Sequence, residues 1–207
     1  MSNKTYILTE NKLFHNSIRN GKTVQQMGFS DKVSLNDVVR FASRYRVAKS
    51  FKGILLEGFS EATMKGYNAL FKLFLSWSAF EQLLKITGLK QVDEEIAHLF
   101  DSYRSKDLCD LIRKYDKNNA FYSFIISQVN NAHKAEIEKY FTEQELNSSY
   151  LASAIRHIFA HGQLTPHANN TKPKDVIKIC DAISEFLLQI MDKEFTNRIT
   201  KADILKS

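Results

Sequence analysis

The segment from Tyr67 to Thr87 limits the possible folds of this chain more than any other part of the sequence. Its apolar side chains are too numerous for a single helical stripe, and Gly88 follows at its end. A helix that is apolar on more than one face belongs in the interior of a protein. The segment therefore predicts a central helix ending at Gly88, with the apolar positions Leu70, Phe71, Leu73, Phe74, Trp77, Phe80, Leu83 and Leu84.

Other helical patterns surround this segment, and together they predict an all-α fold, an up-and-down helical bundle. The chain has only 7 Gly and 2 Pro, which argues against a turn-rich all-β fold. A strand is the alternative over 120–131, which contains β-branched residues. The predicted helices run from Ser34 or Asn36 toward Ala48, then over 92–103, 108–115, 120–131 and 133–141, and finally from Pro173, with Pro173 in the first turn.

Domain boundaries follow from where these patterns begin. Residues 1–31 are polar and mixed, and we expect an N-terminal extension that packs loosely, with residues 32–207 forming the helical domain. Cys109 and Cys180 are isolated, and no secretory signal is visible, so we expect reduced thiols and a cytoplasmic location. No apolar run approaches the roughly 18 residues that a membrane span needs, so no membrane association is expected.

Residues 148–163 combine a helical apolar pattern with charged and imidazole side chains. Ser148 or Ser149 can cap the start, and Gly162 can take the left-handed conformation that ends a helix. We expect the final helix of the chain to pack along this one. The buried face would carry Leu151, Ile155, Ile158 and Phe159, which leaves Arg156, His157 and His161 near the open end of the helix.

At about 100° per residue, Tyr150, Ala154, His157 and His161 form one stripe of this helix. Arg156 falls on the other flank, roughly 140° from His161. The two meet if the helix unwinds near Ala160, or if a second copy supplies the partner across a two-fold axis. An imidazole that titrates near neutral pH and a permanently charged guanidinium suit metal-free attack of an RNA 2′-hydroxyl on its own phosphate. The alternative is that Arg156 is a solvated surface charge and that the histidine pair caps carbonyls at the C-terminus of the helix.

The run Arg156-His157-Ile158-Phe159-Ala160-His161, followed by Gly162, resembles the signature of the HEPN superfamily (higher eukaryotes and prokaryotes nucleotide-binding domain). That signature is an Arg, usually a polar neighbour, and a His after four to six intervening residues. Four intervene in this chain. The resemblance implies a HEPN-type bundle, here with extra helices, that forms a homodimer with two motifs facing each other.

The same resemblance implies a metal-independent endoribonuclease, a type often found in toxin–antitoxin and other defence systems. Arg156 and His161 would be the catalytic pair and His157 the supporting polar residue. The expected partners are RNA or a nucleotide, a second copy of the chain and an antitoxin protein, and no cofactor or metal is expected. Since many family members are thought to be non-enzymatic, the alternative is a catalytically silent HEPN-like module that binds a nucleotide, RNA or a protein.

Three further sets of residues are candidates for function. Glu81 lies in a region that resembles the second helix of several HEPN families, where it would orient a catalytic group; a surface or interhelical ion pair is the alternative. A metal site built from His157, His161 and His167 lacks a nearby carboxylate base. With a net charge of +6, the basic run after residue 39 would track phosphates or form a solvated helix face: Arg40, Arg44, Arg46 and Lys49.

Overall fold

The computed structural model describes residues 7–92, 95–96, 99–100, 105–139 and 147–204. These residues form eight α-helices that pack together, and within them there is no strand. The all-α prediction is confirmed at this level. The helices are α1 Asn11–Arg19, α2 Leu35–Ser50, α3 Glu61–Thr87, α4 Ser105–Tyr115, α5 Ala120–Gln128, α6 Asn131–Glu138, α7 Ser149–Ala160 and α8 Pro173–Ile204.

Helix α3 is the central element, as its apolar pattern predicted. It begins where the Ser60 hydroxyl accepts a hydrogen bond from the Thr63 N–H, and it ends at Gly88, which has a φ of 79°. Its most extensive packing is against α8 and α2, followed by α7. Three helices around one multi-faced apolar helix explain why α3 has buried residues in every turn from Gly66 to Ile86.

Helix α2 begins with the capping box that its sequence allows. The Ser34 hydroxyl and N–H both donate to the Asp37 carboxylate, which also pairs with Lys85 of α3 at 2.7 Å. These contacts, with the Lys85 interaction the largest, hold the pKa of Asp37 far below its usual range. The cap thus fixes the position at which α2 begins and holds that end of α2 against α3.

Helix α8 begins at Pro173, as expected, and continues to Ile204. Its main partners are α3 and α4, so the expectation that it packs along the motif helix is wrong. The motif helix α7 instead packs on α3, α6 and α5. Because both α7 and α8 are amphipathic, each could satisfy its apolar face against α3 without touching the other extensively.

The N-terminal segment packs more tightly than its polar composition predicted. Residues 7–31 contain α1 and a 3₁₀ helix, Gln25–Met27, and the Phe14 ring packs at a tilt against the Phe195 ring of α8, with the ring centroids 5.7 Å apart. The Arg198 guanidinium of α8 donates to the Gly28 carbonyl. A few large apolar side chains, separated by polar residues, are enough to anchor the segment in the core: Leu8, Phe14, Val24, Met27 and Phe29.

Residues 120–128 are helical, so the strand alternative is wrong, but Val129 and Asn130 are extended and separate α5 from α6, which begins at Asn131. The Asp116 carboxylate accepts the N–H groups of Phe121 and Tyr122 at 3.0 and 2.8 Å, which caps α5, and Asn130 caps α6. In the predicted helix over 92–103, residues 95, 96, 99 and 100 are helical, and the positions between them lie outside the described residues. None of the helices, as far as the structure describes them, combines the length and hydrophobicity that a membrane span requires.

Candidate functional site

Helix α7 carries the motif, and its two ends show why the motif side chains lie at an open terminus. The Gly162 N–H bonds to the Phe159 carbonyl and the Gln163 N–H to the Ile158 carbonyl, at 2.9 and 3.1 Å. Together with the Gly162 φ of 72°, this is a Schellman motif, as the sequence predicted for a glycine at this position. The last helical residue is therefore Ala160, and His161, the final residue of the motif, is the C-cap of α7.

The start of α7 differs from the expectation. Neither Ser148 nor Ser149 caps the helix; instead the Asn147 side-chain oxygen accepts the Ser149 N–H at 3.1 Å. Asn147 also donates to the Gln91 carbonyl at 2.9 Å, so the cap residue ties α7 to the chain after α3. Asn and Ser are equally good cap residues. The additional hydrogen bond to Gln91 favours Asn147 over the two serines.

His157 and His161 lie together on the predicted stripe of α7. Their ring centroids are 4.4 Å apart in an edge-to-face arrangement, and both side chains are exposed. Tyr150 and Ala154, which share the stripe, are buried. Two imidazoles therefore reach solvent side by side at the open helix end.

A third histidine, which no sequence pattern indicated, extends this stripe. His133 of α6 lies with its Nε2 3.3 Å from the Ser153 hydroxyl and its ring 5.3 Å from the Tyr150 ring. Burial, and then the nearby His157, lower the pKa of His133 below its usual range. Asn130 caps α6 through the His133 N–H, a local signal that fixes the start of the helix but does not predict which helix His133 faces.

Arg156 points to the other flank of α7, as the helical geometry predicted. Its guanidinium lies 3.7 Å from the Glu81 carboxylate and 5.8 Å from the centre of the Phe74 ring, both on α3. No hydrogen bond, ion pair or ring contact joins Arg156 to His161 among the described residues. Within one chain, then, the structure brings His157 and His161 together and pairs Arg156 with Glu81.

The basic side chains of α2 do not form one continuous face. Arg44 donates to the Ser78 carbonyl of α3 at 3.2 Å, and Arg40 lies 3.7 Å from Asp37. Lys49 pairs with Glu185 of α8 at 3.2 Å, while Arg46 lines a crevice against α1. Three of the four are therefore engaged in contacts within the chain, and they lie on different sides of the helix.

His167 lies apart from the histidine pair of α7. Its Nε2 is 3.2 Å from the Thr63 hydroxyl at the start of α3. Within the described residues there is no group of three histidine, cysteine or carboxylate side chains that could hold a metal ion. The described geometry gives no support to the three-histidine metal site.

Comparison of this chain with protein-family models, with curated proteins and with solved structures finds no match. Its function must therefore be inferred from the side chains themselves. An exposed imidazole pair can transfer protons near neutral pH, and a guanidinium can stabilise negative charge on phosphate oxygens. The geometry separates these two capacities on opposite flanks of one helix.

Proposed function

We propose that this protein is a metal-independent endoribonuclease of HEPN type that acts in the cytoplasm as a homodimer. The observation that carries the proposal is the exposed His157–His161 pair at the open end of α7, with the rings 4.4 Å apart. A histidine serving only the core would be buried and hydrogen-bonded. Exposed imidazoles beside each other are instead available to a substrate.

The reaction transfers a phosphoryl group within the RNA. His161 accepts the proton of a 2′-hydroxyl as its oxygen forms a bond to the adjacent phosphorus, and the bond from phosphorus to the 5′-oxygen breaks. A protonated imidazole donates a proton to the leaving 5′-oxygen. His157, which lies beside His161, supplies this imidazole. The products are a 2′,3′-cyclic phosphate and a 5′-hydroxyl, and no co-reactant is needed.

Arg156 supplies the charge stabilisation in this scheme, and the dimer supplies the geometry. Negative charge builds on the phosphorus oxygens in the transition state, and a guanidinium matches those oxygens with two donors. Since Arg156 and His161 of one chain diverge around α7, we propose that Arg156 of one copy faces His161 of the other across a two-fold axis.

The alternative is a catalytically silent HEPN-like module, and one contact favours it. The Arg156–Glu81 pair occupies the guanidinium within the chain, so a phosphate must compete with a carboxylate for it. A silent module would bind RNA, a nucleotide or an antitoxin protein at this end of α7 without cleaving anything. The two functions differ in whether RNA is broken, which can be measured directly.

The test is cleavage of labelled single-stranded RNA by the purified protein, with and without EDTA, beside the His161→Ala variant. We expect EDTA-resistant cleavage that leaves 2′,3′-cyclic phosphate ends and that His161→Ala abolishes. Since His161 is exposed, this variant should fold normally, which circular dichroism would verify. Strict Mg²⁺ dependence, or undiminished cleavage by the variant, would contradict the mechanism.

A further inference from the structure

A cavity of about 550 Å³ lies where the connection between α4 and α5 meets the start of α8. We call it the lysine cavity, because five lysines line it: Lys114, Lys117, Lys172, Lys174 and Lys178. All five side chains are exposed. They come from two segments more than fifty residues apart, so no local sequence pattern joins them.

Five lysines in the cavity face two aspartates, Asp116 and Asp175, and Asp181 outside the lining also interacts with Lys178. None of the five ammonium groups lies within 4.0 Å of a carboxylate oxygen of the described residues. Two aspartates also line the cavity, and the Asp116 carboxylate already accepts the N–H groups of Phe121 and Tyr122. Because the like charges that line one cavity repel one another, an anion bound among them would be stabilised.

Two further features suit this cavity to phosphate oxygens. Helix α8, 32 residues long, begins at the cavity, so the positive end of its dipole adds to the lysine charge. Thr171, which also lines the cavity, is buried, and its hydroxyl has no hydrogen-bond partner among the described residues. A buried hydroxyl without a partner destabilises the protein, and a phosphate oxygen would relieve that cost.

The walls of the cavity are held together before any ligand binds. The Asn169 side-chain amide donates to the Ala120 carbonyl at 2.9 Å, which joins the segment before α8 to the start of α5. Asn119, Asn169 and Asn170, at the rims of the two walls, adopt left-handed backbone conformations that asparagine tolerates better than most residues. A site that is already assembled loses less entropy on binding.

A short segment of the chain joins the lysine cavity to the motif helix α7. Residues 161–172 lead directly from the end of α7 to the cavity, and α5 contacts both α7 and the 3₁₀ helix Ala168–Asn170 at the cavity rim. The cavity rim and the helix that carries the exposed histidine pair are therefore both neighbours of the same helix, α5.

We infer that the lysine cavity binds the phosphodiester backbone of the RNA substrate, away from the bond that is cleaved; this rests on the proposed function. Lysine is a flexible point charge that contacts phosphates without reading bases. Several separate lysines along two walls suit successive phosphates of a strand. Binding there would hold the RNA while its cleavage site lies at His161.

The inference is tested with the full-length protein and a fluorescent single-stranded RNA that carries 2′-O-methyl groups throughout and so cannot be cleaved by 2′-hydroxyl attack. The test variant is Lys114→Gln/Lys117→Gln/Lys174→Gln. The matched control is Lys12→Gln/Lys32→Gln/Lys52→Gln, which changes the same charge at three exposed lysines that do not line the cavity. Dissociation constants are measured over a range of salt concentrations.

We expect the cavity variant to raise the dissociation constant about tenfold or more and to lower the salt slope by about 2, since each phosphate contact contributes about 0.7 for single strands. The control should change the constant less than about twofold. Equal losses in both variants, or no loss in the cavity variant, would overturn the inference. Displacement of the RNA by ATP, at an ATP concentration that supplies the same amount of phosphate as the RNA, would also overturn the inference. The cavity would then be a nucleotide site.

The binding result is independent of the proposed nuclease activity. Weaker binding by the cavity variant, in a protein that cleaves no RNA, would support the cavity and refute the nuclease. Unchanged binding by the cavity variant, in a protein whose cleavage depends on His161, would support the nuclease and refute the cavity. Cleavage of a dinucleotide too short to reach the cavity should be the same in the cavity variant and the wild type.

Discussion

At the scale of single residues, the contact between Arg156 and Glu81 decides how available the guanidinium is. The side chains are 33% and 43% exposed and the charged atoms lie 3.7 Å apart. Exposed pairs of this kind contribute about 0.2–1 kcal/mol. A phosphate in a composite site can therefore displace Glu81, and the pair orients Arg156 without locking it.

Substitutions at the two ends of this pair should have very different effects. Arg156→Ala should lower the cleavage rate by about 10²-fold or more, because it removes charge stabilisation in the transition state. Glu81→Gln should change the rate by no more than about fivefold, and the free energy of unfolding by less than about 1 kcal/mol. Single-turnover cleavage and urea denaturation measure both quantities. A Glu81→Gln loss as large as that of Arg156→Ala would mean that Glu81 itself takes part in the chemistry.

His133 should make the protein less stable in acid. Burial, and then His157, lower its pKa in the folded state, whereas an unfolded chain takes up this proton near pH 6.5. The unfolded state therefore binds more protons as the pH falls below about 6.5, and the free energy of unfolding falls until the pH passes the lowered pKa of the folded state. His133→Gln should lessen this decline.

The measurement is urea denaturation at about pH 7.5 and about pH 5, on either side of ordinary imidazole titration. His15→Gln, at an exposed position on α1, is the matched control. We expect a smaller loss of stability between the two pH values in His133→Gln than in the wild type or the control. Identical losses of stability in all three proteins would show that His133 does not contribute to the destabilisation in acid.

The residue-level geometry of the site was predictable only within a single helix. The stripe that joins His157 to His161 and the divergence of Arg156 follow from 100° per residue, and both are observed. The contacts of Arg156 with Glu81 and of His133 with Ser153 were not predictable in this way. They depend on which helices pack beside α7, and no local pattern encodes that choice.

At the scale of elements, Gly66 allows the loop after the motif to approach α3. A Cβ at this position would lie 2.5 Å from the Pro166 Cβ and 2.9 Å from its Cγ. Next to this contact, His167 bonds to Thr63. Because Gly66 has no side chain, the segment that connects the motif helix to the lysine cavity can pack against α3.

Gly66→Ala should destabilise the protein although alanine is the better helix former. Overpacking costs about 1–3 kcal/mol and exceeds a propensity gain of about 1 kcal/mol, since the neighbouring atoms belong to a stiff proline ring. In the Pro166→Gly background, which removes both clashing atoms, Gly66→Ala should cost less or stabilise. Denaturation of the four proteins of this cycle measures the coupling. Equal costs in both backgrounds would contradict the close approach.

Helix positions were largely predictable, and helix partners were not. The apolar pattern located α3, α2 and α8, because each buries a periodic set of side chains whatever covers it. The tight packing of residues 7–31 and the pairing of α8 with α4 escaped prediction. Both depend on how a few large side chains, such as Phe14 against Phe195, fit together in three dimensions.

At the scale of the whole molecule, the proposed active site is complete only when two copies meet. One chain presents an exposed imidazole pair on one flank of α7 and a guanidinium on the other. A two-fold axis near the open end of α7 would make two identical sites, each with His161 from one copy and Arg156 from the other. The lysine cavity of each copy would then hold the RNA beside one of these sites.

The most direct test of this account is complementation between two inactive variants, Arg156→Ala and His161→Ala, expressed together. About half of the dimers would be mixed, and each mixed dimer has one intact site of its two, so the mixture should regain roughly a quarter of the wild-type cleavage rate. The two variants alone should stay inactive. Sedimentation with one tagged variant would show whether mixed dimers form. If they form and the mixture remains as inactive as its components, the composite site does not exist.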